Sequence, residues 1–142
     1  MAGFAAGIAS SPDYPGAVPL HGLAIRHHKS GAAVLSAEVP SGGHLLHLSM
    51  ATCVFNDLHT AAAARGIGLG RVEVRADGAF DAELTRSTGV ALEVDLEGAS
   101  PEAELESLVR EVVENAVILR IVRVGTPVGL ASVRVRTTAG GG

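Results

Sequence analysis

The sequence predicts an α+β domain: a mixed or antiparallel sheet covered by a long, buried central helix and a second helix. Three observations carry that expectation. Strand-like segments come in runs around two helix-forming stretches, in the order β-β-α-β-β-α-β, unlike the strict alternation of a doubly wound fold. The longer helical stretch is apolar around most of its circumference, as a helix buried on several sides should be. The chain has 142 residues, which fits one domain with a core that needs no metal or disulfide.

Residues 1–19 carry Gly3, Gly7, Pro12, Pro15, Gly16 and Pro19, a density of chain breakers that predicts an irregular arm. The domain proper is expected over residues 20–137, and residues 138–142, which end in three glycines, as a disordered tail. Residues 20–28 and 32–39 read as two strands around a turn at Lys29-Ser30-Gly31. Pro40-Ser41-Gly42-Gly43 breaks the chain, and residues 44–65 favour the central helix, closed by Gly66 as its C-terminal cap. Residues 71–75 and 90–97 alternate cleanly between aliphatic and charged side chains. The first outer face is basic at Arg71 and Arg75, the second acidic at Glu93, Asp95 and Glu97, so antiparallel pairing sets opposite charges across from each other. Ser100-Pro101-Glu102 is a helix start, with a capping hydroxyl, proline at the first position and an acid at the positive dipole end. Leu105, Leu108, Val109, Val112, Val113 and Ala116 then form the stripe of a core-facing helix, and residues 126–136 a last strand.

A net charge of −4, with no run of Lys or Arg, leaves no electrostatic footprint for nucleic acid or an anionic membrane. No apolar run reaches the roughly 18 residues of a membrane span. The first ten residues have no basic group ahead of their apolar stretch, so a signal peptide is not expected. The single cysteine, Cys53, excludes an internal disulfide and suits a reducing compartment, so a cytoplasmic location is expected. Gly66-Ile67-Gly68-Leu69-Gly70 precedes a strand and opens no helix, so it is not a phosphate loop.

Three segments resemble one family. His44-Leu45-Leu46-His47-Leu48-Ser49-Met50-Ala51-Thr52-Cys53 is similar to the central-helix signature of the OsmC/Ohr proteins, in which an apolar run ends in small residues and a reactive cysteine. Residues 62–69 resemble that family's helix exit, and residues 123–128 the segment leading to its last strand. The resemblance covers residues 20–137 and implies an intertwined homodimer that reduces organic hydroperoxides. A peroxidatic cysteine attacks the O–O bond, a second cysteine resolves the sulfenic acid, and an arginine and a glutamate organise the site. Cys53 stands at the peroxidatic position and Arg26 is the candidate arginine. The resolving position aligns with Ala116-Val117, which holds no cysteine, and the glutamate position falls at Gly43 or His44.

A thiol reduces peroxide only as thiolate, and Cys53 lies some nine residues into its helix, too deep for the dipole of the first turn. Activation then needs a cation from elsewhere: Arg26, His27 or His28. Without one, Cys53 is a small buried hydrophobe. Ser49, Asn56, Asp57 and Thr60 share its helix face and suit a ligand pocket, a dimer seam or a solvated edge, and Asp57 opposes a thiolate. His44 and His47, one turn apart, complete the pocket candidates with Ser49, Asn56 and Asp57. The same pair has metal-ligand spacing, with His27 and His28 available to complete a set, but nothing fixes that geometry and no metal or other cofactor is expected.

The expected function is thiol-dependent reduction of organic hydroperoxides in an oxidative stress response. Cys53 is the nucleophile, Arg26 the activator and an external thiol the reductant. The alternative is a homodimer without peroxidase activity that binds or transforms an apolar small molecule in its interface pocket; a purely structural subunit is the third.

Overall fold

The computed structural model describes residues 3–10, 22–31, 33–37 and 41–138. Nine elements follow in chain order: β1 (Ala6–Ser10), β2 (Gly22–Ile25), β3 (Ala33–Ala37), α1 (Gly42–Ala64), β4 (Leu69–Phe80), β5 (Ser87–Gly98), α2 (Glu102–Asn115), α3 (Val117–Arg123) and β6 (Val128–Thr137). The strands form one mixed sheet in the order β2-β3-β1-β4-β5-β6. Every neighbouring pair is antiparallel except β5–β6, where α2 and α3 make the crossover that a parallel pair requires.

The α+β class, the long central helix and the mixed sheet are as expected; four local readings are corrected. The arm expected to be irregular supplies β1, which lies between β3 and β4 and pairs with both. Ala6, Ile8 and Ala9 are buried, and Ser10 accepts the Val72 backbone N–H through its hydroxyl at 3.1 Å. A strand enclosed this way needs no polar alternation, so it carries no period-two signal. The rest of that arm and the expected tail at 139–142 lie outside the described residues. The second helix is two: Ala116 takes an extended ψ of 127°, which ends α2 and starts α3. The Arg123 guanidinium folds back and donates to the freed Val113 and Glu114 carbonyls, both at 3.1 Å. Ser100 caps nothing; Pro101 is the N-cap, and the Ser100 carbonyl accepts the Thr137 hydroxyl at 2.8 Å. Opposite charges do meet across β4–β5 where Arg75 faces Glu93, but Glu73 faces Asp95. The balancing cation comes from β6: Arg136 pairs with Glu97 at 2.9 Å and Asp95 at 3.3 Å.

α1 starts where Ser41 caps it, the serine hydroxyl accepting the His44 N–H at 3.3 Å. It ends at Arg65 and Gly66, whose φ of +69° suits a residue without Cβ. Its Met50, Val54, Phe55 and Leu58 meet Val72, Val74, Leu92 and Leu96 of the sheet. Leu105, Leu108, Val109, Val112 and Val113 of α2 complete the core on the same face. A bulge at Ala131 of β6 shifts its alternation by one, so Leu130 before it and Val133 after it both pack on the core.

Candidate functional site

Cys53 sits half-buried in the middle of α1, on the stripe Leu45, Leu48, Ser49, Thr52, Cys53 and Asn56. That spacing of i, i+3, i+4, i+7, i+8 and i+11 is one helical face. It forms the floor of an open groove of about 650 Å³. The opposite wall is the end of β2 and its turn, with Ile25, Arg26, His27 and His28; Ile118 of α3 closes the third side. The lining is mostly aliphatic.

The Cys53 thiol lies 4.0 Å from the Asp57 carboxylate Oδ2 and donates toward it. Burial pushes its pKa up from the ordinary thiol value, and the Asp57 charge pushes the same way. Backbone N–H groups of Ile118 and Val117 pull it down without reversing the direction. At neutral pH this sulfur is a protonated thiol, a weak nucleophile. Arg26 lines the groove and is exposed, and among the described residues it makes no ion pair. Ser49 turns its hydroxyl back to the Leu46 carbonyl at 2.7 Å. Thr60 does the same to Asn56 at 3.2 Å and stays outside the groove.

The structure thus gathers Cys53, Arg26, Ser49 and Asn56 around one groove, with Asp57 touching the thiol from the side. His44 and His47, expected as pocket residues, point elsewhere. His44 is buried, hydrogen-bonded through Nδ1 to the Ser41 hydroxyl at 2.7 Å and packed on Phe4. His47 is fully buried; its Nδ1 donates to the Phe4 carbonyl at 2.9 Å and its ring stacks on Phe80. They lie nine and six residues before Cys53, far round the helix from its stripe. The four-histidine metal set fails for the same reason. His27 packs on Phe55, eight residues and about 12 Å along α1 from His47. Among the described residues no three metal-binding side chains converge.

The glutamate position of the resemblance is closed sterically. A Cβ on Gly43 meets the rings of Phe4 and Phe80 at 2.8 Å. The segment aligned with the resolving cysteine does reach the site, since the Val117 and Ile118 amides act on the Cys53 sulfur. The sequence reading missed that contact, and also His59, whose ring lies 5.6 Å from His27 behind the groove wall. A helix phase drawn through Cys53 finds Leu45 and Leu48; nothing in the sequence announces the fold of residues 116–118 against them.

No curated protein matches this chain. Among solved structures, an OsmC-like protein from Mycoplasma pneumoniae superposes with a TM-score of 0.58 at 13% identity, covering 82% of this chain and 94% of that one. An organic hydroperoxide resistance protein OsmC from Legionella pneumophila reaches 0.53 at 16% identity, over 80% and 94%. A hypothetical protein from Aquifex aeolicus VF5 reaches 0.61 at 16%, over 75% and 82%. At these identities the likeness speaks for the fold. The family described as OsmC-like protein matches residues 36–131, which include the Cys53 helix, the α2–α3 break and most of the sheet, and the chain therefore belongs to the OsmC-like family.

Proposed function

We propose that this protein binds an apolar small molecule in the Cys53 groove, with Cys53 resting there as a protonated thiol. The observation that carries this reading is the thiol's surroundings. Its charged neighbour is an anion, Asp57 at 4.0 Å, and burial adds to the upward shift of its pKa. The groove around it is aliphatic and of small-molecule size. The protein acts as a homodimer in this reading. Leu45 at 60% exposure and Val117 and Ile121 at 59% and 62% border the groove or its α3 wall, and a second copy covers them.

Thiol-dependent reduction of organic hydroperoxides is the second reading. It is favoured by the Val117 and Ile118 amides at the sulfur and by Arg26 in the same groove. Cys53 then attacks the peroxide oxygen, releases an alcohol and becomes a sulfenic acid, which an external thiol reduces. With no second cysteine, excess oxidant drives it on to sulfinic and sulfonic acid.

One experiment separates the two: the protein is treated with cumene hydroperoxide, with and without dithiothreitol, and its intact mass is followed. The binding reading expects no added oxygen at modest peroxide and slow alkylation at pH 7. Fast stepwise gain of one, two and three oxygens, together with turnover lost in Cys53→Ser, establishes the peroxidase instead.

A further inference from the structure

The groove wall facing Cys53 holds two polar groups that the protein itself leaves unmatched. His27 is 5% exposed and T-stacked on Phe55, with ring centroids 4.8 Å apart. Its Nδ1 accepts the Ser30 backbone N–H at 3.1 Å, so the proton of the neutral ring sits on Nε2. Burial, with His28 and Lys29 adding to it, pushes the His27 pKa down and keeps the ring neutral. That buried Nε2–H finds no acceptor among the described residues. Asn56 is its counterpart on α1. Its amide nitrogen donates to Asp57 Oδ1 at 3.2 Å, while its buried Oδ1 finds no donor. One groove therefore presents a donor without an acceptor and an acceptor without a donor. Buried polar groups ordinarily have partners, and such a pair describes the chemistry of what belongs beside it.

We infer that His27 and Asn56 form a head-group subsite for a neutral O–H group on an otherwise apolar molecule, whose body lies along Ile25, Leu45, Leu48 and Ile118. This rests on the groove being a ligand site, as proposed above. A hydroxyl matches both atoms at once, accepting from His27 Nε2–H and donating to Asn56 Oδ1. An ether or ketone satisfies only His27. A carboxylate satisfies neither requirement well: it brings no proton for Asn56, it meets a neutral imidazole, and Asp57 stands beside Asn56 to repel it. An alcohol and a hydroperoxide share the required O–H, and the test tells them apart.

Probes of one shape are titrated into the protein, with binding read by calorimetry and by the imidazole C–H resonances of His27. Cumyl alcohol and cumene are compared on the unaltered chain, and cumene hydroperoxide on Cys53→Ser so that it is not consumed. The carboxylate analogue 2-methyl-2-phenylpropanoate completes the set. Cumyl alcohol should bind about five- to tenfold tighter than cumene, the worth of one to two net hydrogen bonds. His27→Phe and Asn56→Leu should each erase that preference while leaving cumene within about twofold. Whichever of the alcohol and the hydroperoxide binds tighter is the natural head group, and either order upholds the subsite. Equal binding of alcohol and cumene overturns it, as does tightest binding of the carboxylate or a preference that survives both variants. Absence of binding by every probe, cumene included, removes the groove reading as well.

Discussion

The carboxylate of Asp57 and the sulfur of Cys53 lie one helical turn apart, and their 4.0 Å separation makes a direct prediction. Asp57→Asn removes the charge that raises the thiol pKa while keeping the side chain's shape. Alkylation by iodoacetamide at pH 7 should then speed up severalfold, with the pH–rate curve moving to lower pH; an unchanged curve assigns the shift to burial alone. The His27–His59 pair makes another. Burial, reinforced by each ring's neighbours, lowers both pKa values, so the folded chain takes up these protons later than the unfolded chain. The sign follows: near pH 7 both states are neutral and nothing is lost. As pH falls through the ordinary histidine value near 6.5, the unfolded state gains protons first and stability declines until the folded pKa values are passed. Urea midpoints measured from pH 7 to pH 5 should fall, and His59→Gln should flatten that fall.

Elements differ in how openly the sequence displays them. α2 has one wet face and one dry face, so its phase is legible. Leu105, Leu108, Val109, Val112 and Val113 are all buried as the spacing requires. Val112→Asp should therefore destabilise by roughly 3 kcal/mol or more, because the carboxylate has no partner in that core. A urea midpoint within error of the parent refutes the phase. β1 is enclosed on both sides by neighbouring strands and built from small residues, so its Ala-Gly-Ile-Ala-Ser reads like a loop. The break at Ala116 has no proline or glycine to mark it, and it is stabilised from Arg123, which lies beyond the apolar stripe. The site divides the same way. Cys53, Ser49 and Asn56 share a readable face, and the phase that joins them places His44 and His47 on another. The contact of residues 117 and 118 with the sulfur is tertiary and leaves no local trace.

At the scale of the whole molecule, the apolar surface is uneven. Val117, Ile121 and Val124 of α3 are 59%, 62% and 90% exposed, at spacings of four and three residues. A contiguous stripe of that kind marks an association surface. Light scattering at micromolar concentration should return twice the chain mass, and Ile121→Glu should halve it. A monomer in the parent protein removes the homodimer from the proposal.

The place of β1 in the strand order has a further consequence. The β2–β3 hairpin, which presents Arg26, His27 and His28 to the groove, joins the backbone ladder of the other strands only through these five residues. The ladder is thus a chain of links in which β1 is the weakest, shorter than the twelve-residue β4 and β5. Fluctuations that release β1 free the histidine wall while β4, β5 and α2 stay folded, a sub-global opening with its own free energy. Amide hydrogen exchange should accordingly be faster in β1, β2 and β3 than in β4 and β5, with the three protected as one cooperative unit. Ligand entry then has a route that leaves the core intact, and a molecule held between Cys53 and His27 should slow exchange at Ile8, far from any atom it touches.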